Sequence, residues 1–270
     1  MTEKIGCIGG GQMGEALIRG IIQSGLYQTG DISVSEPDAK RRDYLKATYA
    51  IRTAEDSLTL WQECDIVILA VKPQIMASML REARLHIQDR HLLITIAAGL
   101  PLHFYSECIC SETCRVIRVM PNTPALILQG ASAICGNQNV NTADLEKAQR
   151  IFSAVGTTVV LDESYLDAVT GLSGSGPAYV FTFVEALIDA GVKCGMARPV
   201  AESLTLQTIL GSIKLLQESG EHPAVLRSRV ASPGGTTIAG LHVLEKSAFR
   251  GIVMDAVEAA TTRSKILGKS

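Results

Sequence analysis

Short β-branched runs alternate with amphipathic stretches along the first 160 residues. Runs at 4–8, 31–35, 66–70, 92–97, 114–119, 131–135 and 157–160 predict strands. Ile66-Val67-Ile68-Leu69-Ala70 is almost continuously apolar, as a strand covered on both faces must be. Between the runs, apolar positions recur at helical spacing and predict helices at 13–24, 39–47, 74–85 and 143–154. Strand–helix alternation of this kind predicts a parallel sheet with helices on both faces. From about Leu161 the pattern changes. Stretches at 165–171, 178–194, 199–219, 224–230, 237–247 and 249–267 read as helices, with no further strand. The longest carry apolar residues around much of their circumference, and residues 161–270 are too few to bury them all. The chain therefore divides into an α/β domain, 1–160, and an all-α domain, 161–270, for which a subunit interface is the expectation and a buried monomeric bundle the alternative.

Composition narrows the function. Hydrophobic residues make up 47% of the chain and aromatics 4%, which suits Ala- and Leu-rich helices on a sheet. The net charge is −2 with no basic stripe, so nucleic acid is not an expected partner. No apolar run reaches the length of a membrane span, and the opening Met-Thr-Glu-Lys does not read as a signal peptide. Seven cysteines, an odd number, point to reduced thiols in the cytoplasm. Cys108, Cys110 and Cys114, with His103 nearby, do not match zinc-site spacing, so no metal is expected.

The first strand runs into Gly9-Gly10-Gly11-Gln12-Met13-Gly14 and then a helix. This is GxGxxG in the context a Rossmann-type dinucleotide site requires. Gly9 permits the tight turn, Gly11 lets the backbone approach a pyrophosphate, and Gly14 lets helix and strand pack closely. The N–H groups opening the helix, at Gln12 and Met13, face the phosphates. The second strand ends at Ser35-Glu36. Small Ser35 followed by Lys40, Arg41 and Arg42 favours NADPH, although the basic trio suits a solvated helix face equally, whereas acidic Glu36 favours NADH. NADPH is the expectation and NADH stays open. Ala70-Val71-Lys72-Pro73, Ala97-Ala98-Gly99 and Met120-Pro121-Asn122 fall at other strand exits, where ligands bind in open sheets. Asn122 suits a carboxamide contact and a loop-fixing role equally, and Lys72 is either a charge near the ligand or a surface residue. In the helical part, Gly171–Pro177 and Ala231–Thr237 join small hydroxyl residues to glycines before apolar helices. Such loops offer N–H groups and hydroxyls to an anion, but either one alone reads first as ordinary capping and close helix packing.

Taken together, the Gly9–Gly14 loop, Ala70–Pro73, Met120–Pro124, Gly174–Tyr179 and above all Ser232-Pro233-Gly234-Gly235-Thr236-Thr237 resemble pyrroline-5-carboxylate reductase from Ile5 to about Glu258. The resemblance implies NAD(P)H-dependent reduction of Δ1-pyrroline-5-carboxylate to L-proline, the last step of proline biosynthesis. It implies that the helical domain dimerises and that dimers associate further into rings such as a decamer. It places the substrate carboxylate on Ser232 and the N–H groups of Gly234, Gly235 and Thr236, with Ser175 nearby. It places the Thr237 hydroxyl on the substrate nitrogen, as the catalytic contact. Thr236 stands where some members carry Ala, and Glu36 departs from the small or amide residue common after the second strand. A β-hydroxyacid dehydrogenase would need a Lys on the helix after the interdomain glycines, and 171–183 contains none. A nucleotide sensor without turnover is the alternative from another class.

Overall fold

The computed structural model describes residues 3–268. Its first part runs β1 (Ile5–Ile8), α1 (Gln12–Gln23), β2 (Ile32–Ser35), α2 (Ala39–Tyr49), β3 (Arg52–Ala54), α3 (Leu58–Glu63), β4 (Ile66–Leu69), α4 (Pro73–Ala83), β5 (Leu92–Thr95), α5 (Leu102–Ile109), β6 (Arg115–Met120), β7 (Gly130–Gly136), α6 (Thr142–Ser153) and β8 (Gly156–Val160). The strands form one sheet in the order β3-β2-β1-β4-β5-β6-β7-β8. Strand β1 therefore lies between β2 and β4, where the chain switches direction across the sheet and a crevice opens at the strand ends.

Period-two alternation builds two cores on the two faces. Ile66 and Ile68 of β4 join Leu17, Ile18 and Phe152 on one side. Val67 and Leu69 join Trp61, Leu80 and Tyr105 on the other. Each such side chain, taken fully out of water, contributes about 1.5–3 kcal/mol.

Three features differ from the pattern read off the chain. Strands β6 and β7 pair antiparallel. A parallel return needs a crossover of a dozen residues or more. Here the link holds only a short 3-10 helix, Thr123–Ile127, and the chain reverses. Strand β3 and helix α3 were not expected, because each is too short to establish a period. Helix α5 was not expected either, although Leu102, Tyr105, Cys108 and Ile109 give it one buried face.

The remaining helices are α7 (Leu166–Val169), α8 (Gly176–Lys193), α9 (Arg198–Ser219), α10 (Pro223–Val230), α11 (Thr236–Lys246) and α12 (Phe249–Leu267). Two compact units part after Ser175 rather than after residue 160. The reason is packing: Leu166 is fully buried against the sheet, with Val169 beside it. The described residues 259–268 also belong to this first unit. There Ser264 donates to Asp167 Oδ1 at 2.6 Å. Gly268 lies against Gly99 O, which an added Cβ at Gly268 would approach to 2.6 Å.

The second unit, Gly176–Glu258, is helical throughout. Helices α8 and α9 pack as a hairpin with Gly191 against Ala201. Among its described residues only Ala201 is buried, while Phe181, Leu206 and Met254 are 66%, 57% and 65% exposed. An apolar surface of this kind marks an interaction face. No described helix is long and apolar enough to cross a membrane.

The seven thiols are unpaired, and Cys7, Cys64, Cys108, Cys114 and Cys135 are buried. Burial pushes Cys7 and Cys135 up to about 12 and Cys64 to about 11. Reactivity follows the thiolate. A thiol reagent on the native protein should therefore label exposed Cys110 and spare those five until denaturant is added. Labelling of all seven at one rate would contradict this packing.

Candidate active site

The turn after β1 is shaped by its glycines. Gly9 has φ +105°, and a side chain there would lie 2.6 Å from the Ala70 carbonyl oxygen. A Cβ at Gly14 would lie 2.2 Å from Gly9 O, so α1 packs directly on the strand exit. Gly11, the N-cap of α1, is different: a Cβ there meets nothing within 4 Å. Gly11 and Gln12 are exposed and Met13 is half-buried against the core. The first helical bond runs from Glu15 N–H to Gly11 O at 2.9 Å, which leaves the N–H groups of Gln12, Met13 and Gly14 without helical acceptors. Open space, no side chain and free N–H groups at a helix N-terminus fit a dinucleotide pyrophosphate.

Beneath the loop, Cys7 donates to Gly9 O at 3.4 Å. Burial, with Glu36 nearby, keeps that thiol protonated. Beside the loop, Arg41 Nε donates to Gly10 O at 2.6 Å, and Arg41 is paired with Glu15. Tyr49 and Tyr44 donate to Glu15 at 2.7 and 2.9 Å. Burial raises the Glu15 carboxyl, but the bonds from Tyr49, Arg41 and Tyr44 outweigh it and hold the carboxyl below its ordinary value. This clamp, and Gly10 with its Cβ position 2.6 Å from Leu45, were missed in the sequence. The run of three glycines was the visible signal.

The other strand exits line up along the same sheet edge. Gly9 N–H reaches Ser35 O at 2.8 Å, Ala70 N–H reaches Ile8 O at 2.8 Å and Ile96 N–H reaches Leu69 O at 3.2 Å. Ser35 is buried and Glu36 half-buried at the end of β2. Val71 is half-buried, Lys72 is the exposed N-cap of α4 and Pro73 is its first residue. Ala97 is buried, and Gly99 takes φ +80°, where an added Cβ would lie 3.7 Å from Leu267 Cβ. Pro121 and Asn122 follow β6. Asn122 Nδ2 donates to Ser173 O at 3.1 Å, and Oδ1 accepts from Ala131 N–H at 2.8 Å. Of the two roles open for Asn122, the loop-fixing one is visible.

Ser175 closes a wide turn after α7, its N–H bonding Thr170 O at 2.8 Å across five residues. The expected loop is thus a helical bulge, a form common at functional sites. Gly174 admits Met120 there, whose methyl would be 2.7 Å from an added Cβ.

In the second unit, Ser232-Pro233-Gly234-Gly235 forms a tight turn closed by Gly235 N–H to Ser232 O at 3.1 Å. Pro233 presets its own φ, and Gly234 takes φ +68°, the left-handed value that the next position of a type II turn requires. A Cβ on Gly235 would lie 2.2 Å from Ser232 Oγ. Gly235 caps α11, so the N–H groups of Thr236 and Thr237 begin the helix without helical acceptors. The turn takes the Gly235 N–H for itself, contrary to its expected use on an anion. Thr237 is half-buried, and Ser232, Gly234 and Thr236 are exposed.

Among the described residues no three His, Cys, Asp or Glu side chains cluster to hold a metal. A cavity of about 990 Å³ in the first unit, lined by His103, Glu107, Cys110 and Glu163 among others, shares no residue with the glycine turn, the strand exits or the turn opening α11.

The family description "Pyrroline-5-carboxylate reductase dimerisation" matches residues 163–267. "NADP oxidoreductase coenzyme F420-dependent" matches residues 4–99. The pyrroline-5-carboxylate reductase of Synechocystis sp. is 45% identical over 269 residues, covering 100% of both chains. That of Methanosarcina acetivorans is 46% identical over 99% of each. The crystal structure of Plasmodium falciparum pyrroline carboxylate reductase with NADP bound superposes with a TM-score of 0.89 at 37% identity, covering 99% of this chain and 98% of that one. With its glycine turn, its strand exits and its hydroxyl-rich helix start, this chain belongs to the pyrroline-5-carboxylate reductase family, NAD(P)H-dependent oxidoreductases that reduce a cyclic imine to L-proline.

Proposed function

We propose the following division of labour for the reduction of Δ1-pyrroline-5-carboxylate by this chain. A nicotinamide coenzyme, NADPH or NADH, supplies the hydride when bound. The α1 N-terminus, through Gly11, Gln12, Met13 and Gly14, holds its pyrophosphate. Ser35 and Glu36 face the adenosine ribose. Ala70–Pro73, Ala97–Gly99 and Pro121–Asn122 wall the crevice toward the nicotinamide.

The observation that carries the substrate assignment is the turn opening α11. Gly234 and Gly235 remove side chains from its approach, and the free N–H groups at Thr236 and Thr237 suit one carboxylate. Ser232 adds a hydroxyl, and Ser175 contributes a second. Thr237 hydrogen-bonds the ring nitrogen. A Thr hydroxyl is a poor acid, so it orients the protonated imine rather than protonating it. Holding the acceptor in a reactive pose is the main contribution of the turn.

The exposed apolar faces of α8, α9 and α12 serve a homodimer, with further association into a ring such as a decamer. The cytoplasm is the expected compartment. Adding Δ1-pyrroline-5-carboxylate to the chain with NADPH or NADH should start coenzyme oxidation and yield L-proline. Coenzyme binding with no imine-dependent oxidation would make the chain a sensor and end this reading.

A further inference from the structure

We infer that Glu36 is the residue that sets the balance between NADH and NADPH in this chain, a refinement that rests on the nucleotide reading above. The carboxylate is built into the site. Glu36 N–H is pinned to Ala54 O at 3.0 Å. Its Oε2 accepts from Gly10 N–H at 2.9 Å, and Oε1 accepts from Asp38 N–H at 3.1 Å. The group is thus held between the glycine turn and the cap of α2, at the end of β2. That place faces the adenosine ribose of a dinucleotide whose pyrophosphate lies on α1. Each carboxylate oxygen keeps acceptor capacity beyond the bond shown. Two vicinal ribose hydroxyls fit that capacity as donors. A 2′-phosphate offers only negative charge and acceptors, and meets repulsion.

The cations that would offset this are already engaged. Arg41 is taken up by Gly10 O and Glu15. Arg42 Nη1 donates to Glu36 O and Pro37 O, both at 2.7 Å, and Nη2 pairs with Glu55 at 3.5 Å. Ser35 is buried. Among the described residues Lys40 is the member of the basic trio whose side chain has no ion pair. Lys40 gives NADPH a foothold, and Glu36 gives NADH one. Both coenzymes are used, and the carboxylate tilts the ratio toward NADH.

The test is direct titration of NAD⁺ and NADP⁺, without imine, into the intact wild-type protein and into Glu36→Gln and Glu36→Ser. Gln keeps an acceptor for Gly10 N–H and removes the charge. Ser removes both and serves if Gln misfolds. The ratio of the two dissociation constants should swing toward NADP⁺ by about tenfold, on the order of 1.4 kcal/mol. NAD⁺ should weaken more in Ser than in Gln. An unchanged ratio, or equal weakening of both coenzymes, would assign Glu36 to loop structure alone and overturn the proposal. A wild-type protein that binds neither coenzyme would instead overturn the nucleotide reading.

Discussion

Gly11→Val is expected to fold as the wild type does and to lose coenzyme affinity by more than a hundredfold, about 2.7 kcal/mol. Gly14→Ala, a smaller change three residues on, is expected to fail at the level of folding. The contrast follows from what each new carbon meets. At Gly11 it projects into open space, and the backbone, at φ −66° and ψ −172°, is extended and open to any side chain. Only the pyrophosphate is obstructed. At Gly14 the carbon lies 2.2 Å from Gly9 O, a backbone atom that a rotamer change cannot move. Ala is favoured over Gly in a helix by about 1 kcal/mol. Overpacking costs about 1–3 kcal/mol, and a fixed backbone oxygen 2.2 Å away puts this clash at the upper end, so it outweighs that gain. Thermal unfolding and coenzyme titration on both variants separate the two effects. Coenzyme binding by Gly11→Val with wild-type affinity would remove the loop from the nucleotide site.

Thr237→Ala should leave coenzyme binding and Tm near the wild-type values and lower kcat by about a hundredfold. Thr237 is the second residue of α11, where Ala is a good helix former, so the fold has little reason to suffer. What disappears is the hydroxyl assigned to the imine nitrogen. Because that bond matters most as charge moves at the reacting carbon, the loss should appear in kcat more than in KM. Thr237→Ser restores the hydroxyl and should recover much of the rate. Thr236→Ala retains the backbone N–H and should stay near wild type. Wild-type kcat in Thr237→Ala would remove this residue from the chemistry and return the turn to a capping role.

Much of this was legible along the chain because it is local. A continuously apolar run such as 66–70 announces a doubly covered strand, and Gly9, Gly11 and Gly14 between a strand and a helix announce a dinucleotide turn. Pro233-Gly234 specifies its own turn through two residues of restricted and permissive φ. Long helices with apolar residues around much of their circumference pointed to a covering surface before any partner was considered.

What the tertiary structure decided depends on groups far apart in sequence. Arg41 and Arg42 suit a phosphate or a solvated helix face equally until Gly10, Glu15 and the Glu36 and Pro37 carbonyls engage them. Asn122 had two possible uses until Ser173 and Ala131 occupied both ends of its amide. The return of the chain from Ala259 to the first unit has no local signal, because Gly99 and Gly268 meet only after folding. Hydrophobic period and turn chemistry act over a few residues and can be read directly. Hydrogen-bond partners are chosen by proximity in space, so whether a charge is free or committed is settled only by packing.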